Sequence, residues 1–180
     1  MSEGKLPGRR DFLKIAAGTF VVAAVPISLR NRTRLVRRSI PAMGATAEIA
    51  VVHRDERYAY AAMDAALAEI QRIEKLMTRF SVTSDIGRAN LRAAAEPVRI
   101  SMQTAHVIQY GLDWAHGTDG AFDPAVAQII DLWDVAHRTS PPAPPMVQRL
   151  ANRALYKHVD VDTRAGLVSF AERDVALDLG

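Results

Sequence analysis

Apolar residues recur at helical spacing in two long stretches of the chain. The first covers residues 56–77, where an apolar stripe alternates with charged positions, so that one face can pack on a core while the other faces water. The second covers residues 102–116 and follows Ser101, whose hydroxyl suits the N-cap of a helix. Both patterns predict amphipathic helices. The apolar positions are Met63, Ala66, Leu67, Ile70, Ile73 and Met77 in the first stretch and Ala105, Ile108, Leu112 and Ala115 in the second.

A third helical pattern lies at residues 120–133, with the sequence GAFDPAVAQIIDLW. Asp123 followed by Pro124 is typical of a helix start, because the carboxylate can accept a hydrogen bond at the N-cap and proline fixes φ at the first helical position. We therefore predict a helix that begins at this pair and buries one apolar stripe. Free backbone N–H groups at such a start favour a phosphate or carboxylate ligand, although capping alone also explains Asp123. The stripe comprises Val126, Ile129, Ile130 and Trp133.

Alternation of apolar and polar residues predicts the strands. Residues 45–52 and 97–100 have this pattern, and residues 158–162 and 167–170 are joined by a glycine-containing turn that indicates a β-hairpin. The two acids of HVDVD could ligate Ca²⁺ or Mg²⁺, but alternation along a strand favours acids that face the solvent. Helices that alternate with short strands and a hairpin predict an α+β fold, an antiparallel sheet with helices packed on one side.

Charge is distributed unevenly along the chain of 180 residues. The formal net charge is +3, yet nine of the 23 Lys and Arg residues lie in residues 1–38, and the remainder is slightly acidic. Residues 39–180 therefore lack the basic surface that nucleic-acid binding requires, and we expect no nucleic-acid partner. The absence of cysteine excludes disulfides, thiolate metal sites, cysteine nucleophiles and a lipidated N-terminal cysteine. The five histidines are scattered and predict no metal site.

Residues 1–38 resemble an export leader. Arg9 and Arg10 stand before an apolar run of about fifteen residues at 15–29, shorter than the roughly 20 that a membrane-spanning helix needs. An arginine-rich stretch follows the run and disfavours the general secretory route. We therefore predict a twin-arginine leader and a location in the periplasm or at the outer face of the cytoplasmic membrane. The alternative is an uncleaved N-terminal anchor, which would give membrane association through the leader.

Four motifs occur in an order that is similar to one enzyme family. They are Met43-Gly44-Ala45-Thr46, the segment FSVTSDIGRAN at residues 80–90, the GAFDP loop with Leu132-Trp133, and Ala176-Leu177-Asp178-Leu179-Gly180. Together they resemble the motifs of the FAD:protein FMN transferases, the ApbE-like family. The resemblance covers residues 39–180 and about the first half of the family's domain. We therefore expect these residues to be the N-terminal portion of an ApbE-like flavin transferase domain.

The resemblance implies an activity and a cofactor site. Members of this family cleave FAD with Mg²⁺, place FMN on a threonine of a target protein and release AMP. Phe80 lacks the hydroxyl of relatives that have tyrosine at this position, so it can stack but cannot donate a hydrogen bond. We nominate no catalytic residue and no metal ligand, because the family's Mg²⁺ positions correspond to sequence beyond Gly180. The resemblance places the following residues at the FAD site: Met43, Phe80, Ala121, Phe122, Asp123 and Asp178.

Two hypotheses for the function follow. In the first, the chain is the N-terminal part of an exported, Mg²⁺-dependent FMN transferase that is incomplete in this sequence, with FAD and a threonine-bearing acceptor protein as partners. In the second, it is a non-catalytic module that binds FAD or a partner with half of the site. Half of a domain would expose a sheet edge and an apolar seam, so we expect a homodimer or the C-terminal half to cover them.

Overall fold

The structure of the chain is a computed structural model that describes residues 33–151 and 153–179. Within these ranges the chain forms five strands, five α-helices and a 3₁₀-helix at Leu155–His158. The strands are β1 (Arg34–Ala42), β2 (Ala45–His53), β3 (Val98–Arg99), β4 (Val159–Asp162) and β5 (Leu167–Phe170). The helices are α1 (Glu56–Met77), α2 (Asp85–Arg92), α3 (Met102–Gly117), α4 (Ala127–Trp133) and α5 (Pro144–Leu150).

The strands form two antiparallel sheets. β1 and β2 are a long hairpin whose turn residues, Met43 and Gly44, both have positive φ, 50° and 71°. Positive φ at both positions is typical of a type I′ turn, which matches the twist of the paired strands. In the second sheet, β5 lies between β3 and β4. The predicted α+β class of antiparallel strands covered by helices is confirmed, with the strands divided between two sheets rather than joined in one.

The predicted export leader lies mainly outside the described residues. Its arginine pair and apolar run precede residue 33, so the interpretation of these features stays a prediction. β1 begins at Arg34 and pairs with β2 along its whole length, so the predicted boundary after residue 38 falls inside a strand. None of the helices in residues 33–151 and 153–179 is long and apolar enough to cross a membrane.

Two clusters of buried side chains hold these elements together. The larger lies where α2 and α3 cover the three-stranded sheet, and the smaller lies between α1 and the β1–β2 hairpin. Burial of one such apolar side chain stabilises the folded chain by roughly 1.5–3 kcal/mol relative to leaving it exposed. The larger cluster includes Ile86, Ile108, Leu155, Val168 and Leu177, and the smaller consists of Val36, Ala59 and Met63 with Ile49 and Val51 packed against it.

Helix α1 has the predicted bounds, but its apolar stripe is only partly covered. Its N-terminus is capped by Asp55, whose side chain accepts hydrogen bonds from two backbone N–H groups of the first turn. Met63 is fully buried against the hairpin, whereas the stripe positions that follow are half-buried or exposed. The C-terminal part of this stripe is therefore available to line a cavity rather than a closed core.

Helix α3 and the hairpin β4–β5 confirm two further predictions. The hydroxyl oxygen of Ser101 accepts a hydrogen bond from the backbone N–H of Thr104 at 3.1 Å, and the four positions predicted to face inward are buried. In the hairpin, both acids of the HVDVD segment, Asp160 and Asp162, are exposed. The N-cap of α3 at Ser101 and the apolar–polar alternation of the β4–β5 hairpin are thus both present as the sequence predicts.

Replacing Ser101 with alanine is expected to lower the free energy of unfolding by about 1 kcal/mol, because the N–H of Thr104 loses its acceptor. Denaturant unfolding followed by circular dichroism measures the change. Ser140→Ala, at an exposed position between α4 and α5, is the control and is expected to change the free energy of unfolding by less than about 0.5 kcal/mol. An equal loss of stability in both variants would contradict the capping role.

The helix predicted to begin at Asp123-Pro124 begins later. α4 starts at Ala127, its N-cap residue is Val126, and no side chain caps it. The prediction that Asp123 caps this helix was therefore wrong, and the free backbone N–H groups of the helix start lie at Ala127 and the residues after it. The predicted apolar stripe is also only partly buried, because Ile130 and Trp133 are 44% and 41% exposed. The physical reason lies in a distant partner of Asp123, described below.

Candidate functional site

A cavity of about 330 Å³ lies beside the C-terminal end of α1. Its wall is formed by segments that are far apart in the sequence: the β1–β2 turn, the end of α1 with the residues that follow it, and the segment Asp178-Leu179. Each segment contributes one of the residues that the resemblance placed at the FAD site. Met43, Phe80 and Asp178 thus meet at one cavity.

The β1–β2 turn presents Met43 to the cavity. Its backbone φ of 50° is a left-handed conformation that is uncommon for a residue with a side chain. The hairpin register holds this conformation, because Ala42 pairs with Ala45 on either side of the turn. Met43 is 53% exposed, so a flexible thioether is available at the cavity for contact with an apolar ligand surface.

Phe80 and Arg79 form a stacked pair at the cavity. The guanidinium carbon of Arg79 lies 4.3 Å from the ring centroid of Phe80, within the range at which a cation is attracted to a ring face. Phe80 is 82% exposed, whereas the Arg79 side chain is 12% exposed. One face of the ring therefore rests on the arginine, and the rest of the ring is open to a ligand.

Asp178 is fixed at the cavity through both its side chain and its backbone. Its Oδ2 lies 2.9 Å from Nε of Arg79 in an ion pair, although the buried Nε–H is not aligned for a hydrogen bond. Its backbone N–H donates to the carbonyl of Pro124 at 2.8 Å. The preceding Leu177 is held by the side chain of Asn90, which donates to its carbonyl at 2.9 Å and accepts from its N–H at 2.7 Å. The backbone that leads to the cavity is therefore anchored to two other parts of the fold.

Helix α2 supports the loop that carries Phe80. Ser84 caps the helix, because its hydroxyl oxygen accepts a hydrogen bond from the N–H of Gly87 at 2.9 Å. The same hydroxyl lies 2.7 Å from the carbonyl of Ser81, to which it can donate. The start of α2 is thus joined directly to Ser81, the residue that follows Phe80.

Asp85 links α2 to α3. It is 4% exposed and accepts hydrogen bonds from the N–H of Ser101 at 2.9 Å, the hydroxyl of Thr104 at 2.7 Å and the guanidinium of Arg88 at 2.6 Å. Burial opposes the charged form, but the hydrogen bonds from Thr104, Ser101 and Arg88 outweigh it, so the pKa of Asp85 lies below its ordinary value. This carboxylate is structural support behind the cavity loop.

The other three predicted FAD-site residues lie on the GAFDP loop and not in the cavity wall. Ala121 and Phe122 are exposed, Phe122 by 49%. Both carboxylate oxygens of Asp123 accept backbone hydrogen bonds, Oδ1 from the N–H of Ala125 at 2.8 Å and Oδ2 from the N–H of Tyr156 at 3.1 Å. The bond to Tyr156 replaces the helix cap that the sequence predicted. A role of Ala121, Phe122 and Asp123 in FAD binding stays a prediction.

Sequence reasoning missed part of the cavity wall, above all Arg79. Its position directly before the aromatic residue is the signal that could have identified it. Its Nη1 donates to Oδ1 of Asp131 on α4 at 2.8 Å, a contact that no local pattern shows. Ile73 and Met77 were predicted as core residues of α1, yet both line the cavity together with Glu74.

The described residues do not form a metal centre. No group of three or more His, Cys, Asp and Glu side chains in residues 33–151 and 153–179 is placed to hold a metal ion. At the cavity, the carboxylate of Asp178 is paired with Arg79, whose positive charge offsets the charge that the acid would offer to a cation. Mg²⁺ ligands beyond Gly180 stay a prediction.

Fold and cavity together define an α+β domain with an open cavity at the end of its longest helix. The model of the ApbE family matches residues 43–180 of this domain. The chain belongs to the ApbE family.

Curated relatives of the chain carry the name FAD:protein FMN transferase. The protein of Treponema pallidum is 24% identical over 160 residues, and that of Vibrio cholerae is 27% identical over 125 residues. These alignments cover 84% and 67% of this chain but 44% and 36% of the two relatives. The chain thus spans less than half the length of either relative.

Solved structures share the fold. The ApbE protein of Thermotoga maritima superposes with a TM-score of 0.70 at 23% identity, covering 81% of this chain and 47% of that one. The flavin transferase ApbE from Vibrio cholerae superposes with a TM-score of 0.67 at 22% identity, covering 82% and 48%. At these identities the superpositions show the fold alone.

Proposed function

We propose that the protein to which this chain belongs is an exported flavin transferase. It moves FMN from FAD to a threonine of a target protein, releases AMP and requires Mg²⁺. Membership of the ApbE family and the names of the curated relatives support the transferase activity. The pair Arg9-Arg10 before an apolar run supports export by the twin-arginine route to the periplasm or the outer face of the cytoplasmic membrane. FAD and a threonine-bearing acceptor protein are the partners.

The meeting of Met43, Phe80 and Asp178 at one cavity carries this proposal. A flavin nucleotide combines a flat ring system with hydroxyl groups and phosphates. The exposed ring of Phe80 offers a stacking face, and the thioether of Met43 offers an apolar contact. The carboxylate of Asp178 accepts hydrogen bonds from hydroxyl or ring N–H groups, whereas its charge disfavours contact with phosphate. The cavity therefore suits the ring and hydroxyl parts of the nucleotide.

The proposed reaction breaks one bond of the pyrophosphate and forms one phosphoester bond. The threonine hydroxyl oxygen attacks the phosphorus on the FMN side, the bond from that phosphorus to the bridging oxygen breaks, and AMP leaves with the bridging oxygen. The hydroxyl proton is released to water. Positioning of the reacting groups contributes much of the acceleration in phosphoryl transfer. The described residues hold and orient the nucleotide, and we assign them no proton transfer and no metal contact.

A transfer assay on the full-length protein tests the proposal. The protein is incubated with FAD, Mg²⁺ and a cell-envelope extract of the source organism. AMP is measured by chromatography, and covalently bound flavin is detected by its fluorescence after denaturing electrophoresis. We expect AMP release, a fluorescent acceptor band whose modified residue is a threonine by mass spectrometry, and loss of both signals with EDTA. No AMP and no labelled band would overturn the proposal, and FAD binding without AMP release would favour the non-catalytic binding module.

A pair of variants connects the assay to the cavity. Phe80→Ala removes the stacking face and is expected to raise the KM for FAD by about tenfold, since stacking on an aromatic side chain contributes roughly 1–3 kcal/mol per base. Val82→Ala is the matched control, because Val82 is 70% exposed, lies close in sequence and is not part of the cavity wall. Equal KM values for both variants would place the nucleotide elsewhere.

A further inference from the structure

We propose that Arg79 is a positioning residue for the flavin nucleotide. Its guanidinium, which is anchored by its ion pair with Asp178, holds one face of the Phe80 ring, so that a planar ring of FAD stacks on the opposite face. This inference rests on the proposed function, because it assigns a role within the same site.

Arg79 joins three separate parts of the fold through one rigid group. Its Nη1 donates to Oδ1 of Asp131 on α4 at 2.8 Å, and its Nε lies 2.9 Å from Oδ2 of Asp178. Its guanidinium carbon lies 4.3 Å from the centroid of the Phe80 ring. A guanidinium is planar, so its contacts with Asp131 and Asp178 also fix the plane on which the Phe80 ring rests. The arginine therefore determines the relative positions of Phe80 and Asp178.

The exposed fractions of the side chains around Arg79 show which of them are held in place by the fold. The side chains of Arg79 and Asp178 are 12% and 15% exposed, whereas that of Asp131 is 63% exposed. Phe80 is 82% exposed, so few of its own contacts hold the ring. The buried arginine–aspartate pair is thus the base on which the exposed ring rests, and the ring depends on it for orientation.

A preoriented ring affects binding more than chemistry. An exposed aromatic side chain loses conformational freedom when a ligand stacks on it, and this loss weakens binding unless the ring is already held. Arg79 reduces that loss by supporting one face. It lies under the ring rather than at a reacting atom, so its removal is expected to weaken FAD binding and to leave the turnover rate of bound FAD nearly unchanged.

Two substitutions of Arg79 in the full-length protein test the role. The dissociation constant for FAD is measured by quenching of flavin fluorescence, and KM and kcat are measured from AMP release. Arg79→Met is expected to raise the dissociation constant and the KM by about tenfold, with kcat within about threefold of the wild type. Arg79→Lys keeps the charge beside Asp131 and Asp178 but loses the planar support, so an intermediate increase is expected. If Arg79→Met does not fold, the lysine variant decides the test.

A double-mutant cycle separates positioning from a merely structural role. If Arg79 acts through Phe80, the effect of Arg79→Lys on the dissociation constant is expected to shrink to less than about twofold in a Phe80→Leu background. If the role is only structural, Arg79→Lys would lower the melting temperature, and it would change the dissociation constant for FAD by the same factor with Phe80 and with Phe80→Leu. Arg92→Met is the control, since Arg92 is an exposed arginine in an ion pair with Glu96 and is expected to leave FAD binding unchanged.

The outcomes distinguish this inference from the proposed function. An unchanged dissociation constant in both Arg79 variants, or equal effects with and without Phe80, would overturn the positioning role while transfer activity stands. A shifted dissociation constant in a protein that releases no AMP would support positioning and reject the transferase. A wild-type protein that does not bind FAD would overturn both.

Discussion

Replacing Gly87 with alanine is expected to lower the free energy of unfolding by at least about 3 kcal/mol. A Cβ atom at Gly87 would lie 1.8 Å from the carbonyl oxygen of Ser81 and 2.7 Å from its carbonyl carbon. Both are backbone atoms, so no side-chain rotation relieves the overlap. The turn must move away from α2, and the hydrogen bond between the Gly87 N–H and Ser84 is then lost together with the position of the loop that carries Phe80.

Gly117→Ala is the matched control for this variant. Gly117 is the last residue of α3, and a Cβ there would meet no atom within 4 Å apart from its chain neighbours and the backbone of its own helix. Alanine is therefore expected to be neutral or to stabilise by up to about 1 kcal/mol through its helix propensity. Thermal unfolding of both variants measures the difference. A Gly87→Ala protein as stable as Gly117→Ala would show that α2 does not pack closely on the turn.

Removal of the Asp85 side chain is the second large effect that we expect. Asp85→Ala is expected to lower the free energy of unfolding by about 3 kcal/mol, because the part-buried N–H of Ser101 and the buried hydroxyl of Thr104 lose a charged acceptor. Arg88 loses its acidic partner in the same substitution. Equilibrium denaturation in urea measures the cost. Asp113→Ala, at an exposed position on α3 whose carboxylate accepts a hydrogen bond from Gln109, is the control and is expected to cost less than about 0.5 kcal/mol.

The Asp85 carboxylate also makes stability depend on pH. The pKa of Asp85 is lowered in the folded chain. Its contribution to the free energy of unfolding is therefore fully present above the unfolded-state pKa of about 3.9 and is lost as the pH falls through the folded-state pKa. Urea denaturation between about pH 7 and about pH 2 is expected to show this loss at the acid end in the wild type. Asp85→Asn removes the titrating group, so a smaller decline is expected. If the stability of Asp85→Asn declined at low pH as much as that of the wild type, Asp85 would not be the group responsible for the pH dependence.

Local sequence patterns were sufficient to predict the helices and the hairpin that depend on contacts between residues close in sequence. α1 has the predicted bounds and α3 has the predicted cap at Ser101, because helical spacing and capping are decided within a few residues of each other. The β4–β5 hairpin was predicted for the same reason. At the cavity, the resemblance of short motifs identified Met43, Phe80 and Asp178, although no local pattern shows that these three residues meet.

The GAFDP loop shows where local patterns are insufficient. Asp123-Pro124 has the residue types of a helix start, yet the carboxylate is engaged by the N–H of Tyr156, 33 residues later in the chain. Arg79 was missed on similar grounds, because its partner Asp131 lies 52 residues away. Distant partners of this kind compete with local hydrogen bonds, and their presence becomes visible only when the fold is known.

The two hydrogen bonds between Asn90 and Leu177 connect residues 87 positions apart, which matters for the order of events during synthesis. At translation rates of about 5–20 residues per second, roughly 4–17 s pass between the addition of the first residue and that of the second. Until then the amide of Asn90 lacks its backbone partner, and the wall of the cavity at Asp178 does not exist. The cavity that we propose for FAD is therefore incomplete while α2 alone has emerged. The wall of that cavity at Asp178 can form only after residues 177–179 have left the ribosome.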